Sequence, residues 1–152
     1  MNPTAYSSLS ALELMALCIW REARGEGLLG KRGVGHVICN RVNVRSFFGQ
    51  DVSSVILKPY QFSSFNQDDP NSDKWPLDAD PSWLDSQSVA KQVLSWSDPD
   101  ITAGALYYFS PPLSSAPRAW GSVKVTLTVG NLTFCKPVPT NEADVQEAID
   151  PG

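Results

Sequence analysis

The chain has 152 residues, of which 42% are hydrophobic, and a formal net charge of −4. A chain of this length suits one domain that buries roughly 68–70% of its unfolded surface, so a single domain over residues 1–152 is expected. Its lysines and arginines are scattered rather than gathered into the basic stripe that a phosphate backbone demands, which argues against nucleic acid as a partner. No apolar run reaches the length of a membrane span, and the first 20 residues lack the basic leader of a signal peptide.

Ser10 and Glu13 stand three apart, the spacing at which each side chain satisfies the other's free backbone N–H, and so predict a helix start. Leu12, Met15, Ala16, Ile19 and Ala23 then recur at helical spacing and define one apolar face. The run WREARGEG at 20–27 puts Glu22 at the end of this helix, three residues after Ile19 and four after Cys18. A carboxyl among apolar neighbours is partly desolvated, which disfavours its charged form and equips it to give a proton and take one back. The plainer alternative is a helix-end carboxylate in water, with Gly25 as a left-handed C-cap.

A second helix is expected from about 29 to 42, with Val34, Val37, Ile38 and Val42 on one face. Gly33 and Gly35 inside it each cost about 1 kcal/mol against alanine, which implies that a neighbouring backbone comes close. Arg41, near its end, is expected to form an internal ion pair or a helix cap, with substrate contact as the alternative. Asp51 can cap a short helix carrying Val52, Val55 and Ile56, which Pro59 ends. Residues 63–80 are rich in Asn, Asp, Ser and Pro and predict a long surface loop, either a binding edge or a solvated connector. Asp80 and Pro81 open a further helix to about Trp96, expected to bury Leu84, Val89, Ala90, Val93 and Leu94.

After Pro99 the pattern turns to strands. Residues 106–109 form a short apolar run, and Val123, Val125, Leu127 and Val129 alternate with Lys124, Thr126 and Thr128. Gly130 and Asn131 read as a hairpin turn into residues 132–134. The core is expected over about 11–137, with 138–152 as a loosely held acidic tail.

Cys18, Cys39 and Cys135 make an odd count and read as reduced, buried thiols. Two sharper alternatives are a Cys3His zinc site including His36, one turn from Cys39, and a thiol nucleophile at Cys18 or Cys39 with His36 as base. The sequence lacks a CxxC knuckle, and neither cysteine opens a helix, so no metal or other cofactor is expected.

EARGE at 22–26, followed by VGHVICNRV at 34–42, resembles the SleB and CwlJ family of cell-wall hydrolases. QFSSF at 61–65, GALYYFSP at 104–111 and VGNLTF at 129–134 are similar to later landmarks of that family and stand in the same order. The resemblance implies an α+β, lysozyme-like, mainly helical fold with a small antiparallel sheet toward the C-terminus. It also implies activity on the glycan strands of peptidoglycan, with Glu22 as acid and base. The chain departs from the pattern at two places where the family often has histidine, holding Leu106 or Tyr107 at one and Leu132 at the other.

Hydrolysis requires a second positioned carboxyl, and Glu26 is the nearest candidate, either lining the site or bracing backbone amides. A lytic transglycosylase avoids that requirement, because the substrate's own N-acetyl group can assist departure, the C6 hydroxyl of the sugar can replace water, and one glutamate then suffices. Gln61 and Ser63 carry groups that can hydrogen-bond acetamido and hydroxyl groups, while Phe62 is expected in the core. Tyr107 and Tyr108 point to opposite faces on a strand, so only one of them is expected to face the cleft. Among the tryptophans, Trp120 or Trp75 is expected to stack on sugar. The expected partner is therefore peptidoglycan, engaged by a monomer. The competing readings are a muramidase, an inert wall-binding module and a zinc amidase. The expected setting is a bacteriophage endolysin held in the host cytoplasm until release, or else a bacterial enzyme that has lost its leader.

Overall fold

The computed structural model describes residues 5–44, 47–59 and 61–139. Four helices, α1 (Ala11–Ala23), α2 (Leu28–Val44), α3 (Val52–Leu57) and α4 (Pro81–Leu94), precede three strands, β1 (Tyr107–Phe109), β2 (Val123–Val129) and β3 (Leu132–Pro137). The strands form one antiparallel sheet in the order β1-β3-β2. Of the tail expected over 138–152, residues 140–152 lie outside the described residues, while the Val138 N–H donates to the Ser122 carbonyl at 2.9 Å.

Helix α1 starts where Ser10 and Glu13 specify, with both capping-box hydrogen bonds present. It is the centre of the molecule, packed against α2, α3 and α4. The single apolar face expected from its spacing is corrected: Leu14, Met15, Leu17, Cys18 and Ile19 are all buried, while Leu12 is exposed in the first turn. A helix with apolar residues around its circumference is enclosed rather than laid on a core.

Gly25 does not supply the expected left-handed cap. The C-cap is Arg24, which keeps a right-handed conformation at φ −62°. The turn closes through Glu26 N–H to the Ala23 carbonyl at 2.9 Å. The buried Lys31 ammonium, one turn into α2, donates to the Glu26 carbonyl at 2.5 Å and caps the turn from the other side.

The glycines of α2 do mark close approaches, but of side chains rather than backbone. A Cβ on Gly33 would lie 2.3 Å from Cζ of Phe134, and one on Gly35 would lie 3.1 Å from Cγ2 of Val93. The missing side chains let the sheet and α4 seat directly on α2. Asp51 caps α3 through the Ser54 N–H, and Asp80 caps α4 through the Ser82 N–H. Helix α4 ends two residues before Trp96, which takes φ +61° and is exposed. Trp83, not Leu84, faces inward, and Leu84 is half exposed.

Residues 63–80 are more structured than expected, with short 3-10 turns at Ser63–Phe65 and Pro70–Asp73. The buried Arg21 holds them, donating to the carbonyls of Ser64, Ser72 and Lys74 and to the Tyr6 hydroxyl. Its guanidinium also lies 4.7 Å from the Trp75 ring and 4.9 Å from Phe65. In the sheet, β2 loses its strict alternation at a bulge between Val125 and Leu127, which leaves Val125 exposed.

Candidate active site

Glu22 lies in the last turn of α1, half buried, on the wall of a cleft of about 420 Å³. Arg41, Gln61, Ser63, Tyr107, Tyr108 and Trp120 line the same cleft, with Phe47, Phe48 and Ala119 completing it. A more open concavity of about 460 Å³ runs beside Lys58, Phe65 and Asp68 but contains none of these groups. The enclosed cleft, where acid, amide, hydroxyl and aromatic groups converge, has the build of a ligand site.

The Tyr108 hydroxyl donates to Oε1 of Glu22 at 2.5 Å. Burial first, and then the neighbouring Glu22 charge, push the Tyr108 phenol well above its ordinary pKa, so it remains a protonated donor. Oε2 of Glu22 makes no hydrogen bond among the described residues, which leaves it as the oxygen able to exchange a proton with a ligand. Packing fixes this arrangement. Tyr108 pairs with Phe134 across β1 and β3, their rings 5.8 Å apart, and the Phe134 ring rests on Gly33.

Tyr107 reaches the cleft as well, and its ring stacks on Trp120 at 4.7 Å with an interplanar angle of 15°. The expectation that only one of the two tyrosines faces the cleft is corrected. Strand alternation fixes the direction of Cβ, but β1 is a three-residue edge strand and both long phenols extend to the cleft. Trp75 does not take part, being committed to the Arg21 cluster.

Glu26 lies outside the cleft. Its Oε1 accepts the Asn131 N–H at 3.2 Å, and a Cβ on Gly130 would lie 2.1 Å from the same oxygen. Glu26 thus ties the end of α1 to the β2–β3 hairpin, and Gly130, at φ +55°, is the residue that lets the turn approach it. Arg41 forms neither the ion pair nor the helix cap expected of it. Its Nε donates to the Leu106 carbonyl at 2.8 Å, outside its own helix, and no carboxylate among the described residues lies within salt-bridge distance.

His36 is engaged elsewhere, its Nε2 lying 2.6 Å from Asp98, which Arg32 also binds. All three cysteines are free and buried. Burial and then Glu22 push the Cys18 thiol well up, and burial and Asp100 take Cys39 to about 11, so neither offers the thiolate a nucleophile needs. Sequence reasoning missed Phe47, Phe48 and Ala119 as cleft residues. No local signal marks them, because tertiary packing brings them to the cleft.

A helical domain that sets one glutamate in an aromatic cleft beside a three-stranded sheet belongs to the lysozyme-like class. The family model described as Cell Wall Hydrolase matches residues 25–135, and the chain belongs to that family. It is similar to the spore cortex-lytic enzymes of Bacillus cereus and Oceanobacillus iheyensis. Each is 31% identical over 134 residues, which cover 88% of this chain and 47% and 44% of those proteins. The chain therefore spans under half the length of these relatives. Among solved structures, the catalytic domain of the Bacillus cereus SleB protein matches with a TM-score of 0.63 and 31% identity, covering 88% of this chain and 94% of that one. The catalytic domain of the germination-specific lytic transglycosylase SleB from Bacillus anthracis matches with a TM-score of 0.64 and 30% identity, covering 89% and 100%.

Proposed function

We propose that this domain cuts peptidoglycan glycan strands at the bond from N-acetylmuramic acid to N-acetylglucosamine, as a lytic transglycosylase with Glu22 as its only acid and base. The observation that carries this reading is the carboxyl inventory of the cleft. Glu22 is the sole carboxyl among its described lining residues, and Glu26 is turned to the hairpin. Both hydrolytic glycosidase mechanisms need a second carboxyl to activate water or attack the sugar. The intramolecular route does not.

In that route Glu22 Oε2 gives its proton to the glycosidic oxygen, and the C1–O bond breaks as positive charge develops at C1. The carboxylate, held at Oε1 by Tyr108, then removes the proton of the C6 hydroxyl as that oxygen bonds to C1. The products are a 1,6-anhydro end and a free 4-hydroxyl, and Glu22 recovers its proton. The stacked Tyr107 and Trp120 rings offer a flat apolar wall to a sugar face. Gln61 and Ser63 offer donors and acceptors to its substituents. The relationship to a protein described as a lytic transglycosylase supports the same chemistry.

Mass spectrometry of the muropeptides released from purified peptidoglycan tests the proposal. Anhydro ends are expected, whereas reducing ends mean that water was activated and a second carboxyl operates. Binding without release of soluble fragments points instead to an inert wall-binding module. The bacteriophage setting goes with this reading as a proposal. Its test is that cytoplasmic expression alone leaves a bacterium intact, with lysis following once the membrane is breached.

A further inference from the structure

Among the described lining residues of the cleft, Arg41 is the one polar side chain to which the mechanism above gives no task. It projects from α2, is 5% exposed, and lines the cleft together with Glu22. Three rings surround its guanidinium, with Phe48 at 4.7 Å, Phe62 at 4.8 Å and Tyr107 at 5.8 Å from its central carbon. Only Nε–H has a hydrogen-bond partner among the described residues, the Leu106 carbonyl. Among the described residues, Nη1 is buried without a hydrogen-bond partner and Nη2 has none. A buried donor left unmade is costly, and such groups in native proteins are nearly always satisfied. An anchored, desolvated guanidinium with free N–H groups at a cleft is a preformed donor awaiting an acceptor oxygen.

We propose that Arg41 is a substrate-recognition residue whose terminal N–H groups bind the acetamido carbonyl of a glycan sugar. The assignment rests on the glycan-cleaving reading given above. The chemistry of the polymer selects the acceptor. Its lactyl acid is amide-linked wherever a stem peptide is attached, so no carboxylate is available there, and an amide carbonyl is a stronger acceptor than a sugar hydroxyl. An acetamido group also carries a methyl, and the Phe48 and Tyr107 rings beside the guanidinium provide the apolar surface that a methyl requires. Arg41 thereby selects N-acetylated over N-deacetylated glycan.

The test is steady-state kinetics on native and chemically N-deacetylated peptidoglycan with the wild type, Arg41→Lys and Arg41→Met. Deacetylation is expected to raise the KM of the wild type about tenfold, as loss of one buried hydrogen bond to a charged group does. Arg41→Met is expected to raise KM on native glycan about tenfold, to change kcat less than KM, and to shrink the deacetylation penalty to about twofold. Arg41→Lys, which keeps a cation but not the planar fork, is expected to fall between the two. A Met variant that keeps the full penalty overturns the proposal, because a purely structural role lowers stability and kcat without altering discrimination between substrates. If the wild type cuts both glycans with equal KM, the Arg41 assignment fails whether or not the variants fold. If the wild type cuts neither glycan, the glycan reading fails and Arg41's role falls with it.

Discussion

Replacing Gly33 by alanine tests the link between the core and the catalytic glutamate. The added Cβ would sit 2.3 Å from Cζ of Phe134 and 2.9 Å from both Cε atoms. Phe134 is fully buried, so its ring cannot swing into solvent and must push against its neighbours. Overpacking of this kind costs about 1–3 kcal/mol, while alanine in place of glycine returns about 1 kcal/mol of helix propensity. The contact is short enough to place the steric cost at the upper end, so a net loss of about 1–2 kcal/mol is expected. For a chain of this length that lowers Tm by about 2–8 °C, measured by calorimetry or circular dichroism. Activity should fall further than the folded fraction, because Phe134 is the surface on which Tyr108 rests while holding Glu22. Adding Phe134→Leu to Gly33→Ala should restore part of the loss, as a double-mutant coupling. A Gly33→Ala variant with an unchanged or raised Tm refutes the reasoning.

Tyr108→Phe keeps the ring but frees Glu22 Oε1. A charge-assisted hydrogen bond contributes about 1.5–3 kcal/mol, so kcat for muropeptide release should fall about 10–100-fold with KM changed much less. Glu26→Gln should weaken the hairpin tie by about 0.5–1.5 kcal/mol and leave the end-group chemistry of the products unchanged; loss of cleavage in a folded variant would restore Glu26 as a reacting carboxyl. Asp98 supplies the pH dependence. Burial alone would raise its carboxyl, but hydrogen bonds from His36, Gln92 and Arg32, with the Arg32 charge, outweigh burial and hold it below the ordinary carboxylate range. Its stabilising contribution is therefore complete above the unfolded value of about 3.9 and is lost as pH falls through the lower folded value. Asp98→Asn should destabilise the protein in urea titrations at pH 7, and the gap should close as the titration is repeated at successively lower pH.

What the sequence revealed is what short-range chemistry controls. Ser10 with Glu13, Asp51, and Asp80 with Pro81 each started a helix where the pattern placed one, because a cap is settled within three residues. Gly33 and Gly35 signalled close packing, although the partners were side chains rather than backbone. The errors fall where distant groups decide. Gly25 was free to take a left-handed turn, but the Lys31 ammonium caps the preceding carbonyls and α2 follows at once. Leu84, expected inside, is half exposed beside the buried Trp83, because helical periodicity leaves the inward phase uncertain by one residue when both neighbours are apolar. In the cleft, Glu22, Gln61, Ser63, Tyr107, Tyr108 and Trp120 do converge; short motifs mark the first five, while Trp120 stands out only as a tryptophan in loop-like sequence, a signal that Trp75 shares. Arg41 was misread because its partners, the Leu106 carbonyl and three aromatic rings, come from sequence positions with no visible relation to it.

The most direct measurement of the central claim is digestion of purified peptidoglycan by the wild type and Glu22→Gln side by side, with released fragments identified by mass spectrometry. Glutamine preserves the shape of the side chain and can still accept the Tyr108 hydrogen bond, so the fold and the cleft remain. It has no proton to give and no carboxylate to take one back. The wild type should release 1,6-anhydro muropeptides, and the folded variant should release none above background. Equal release by the two proteins would contradict the assignment of Glu22 as the proton carrier.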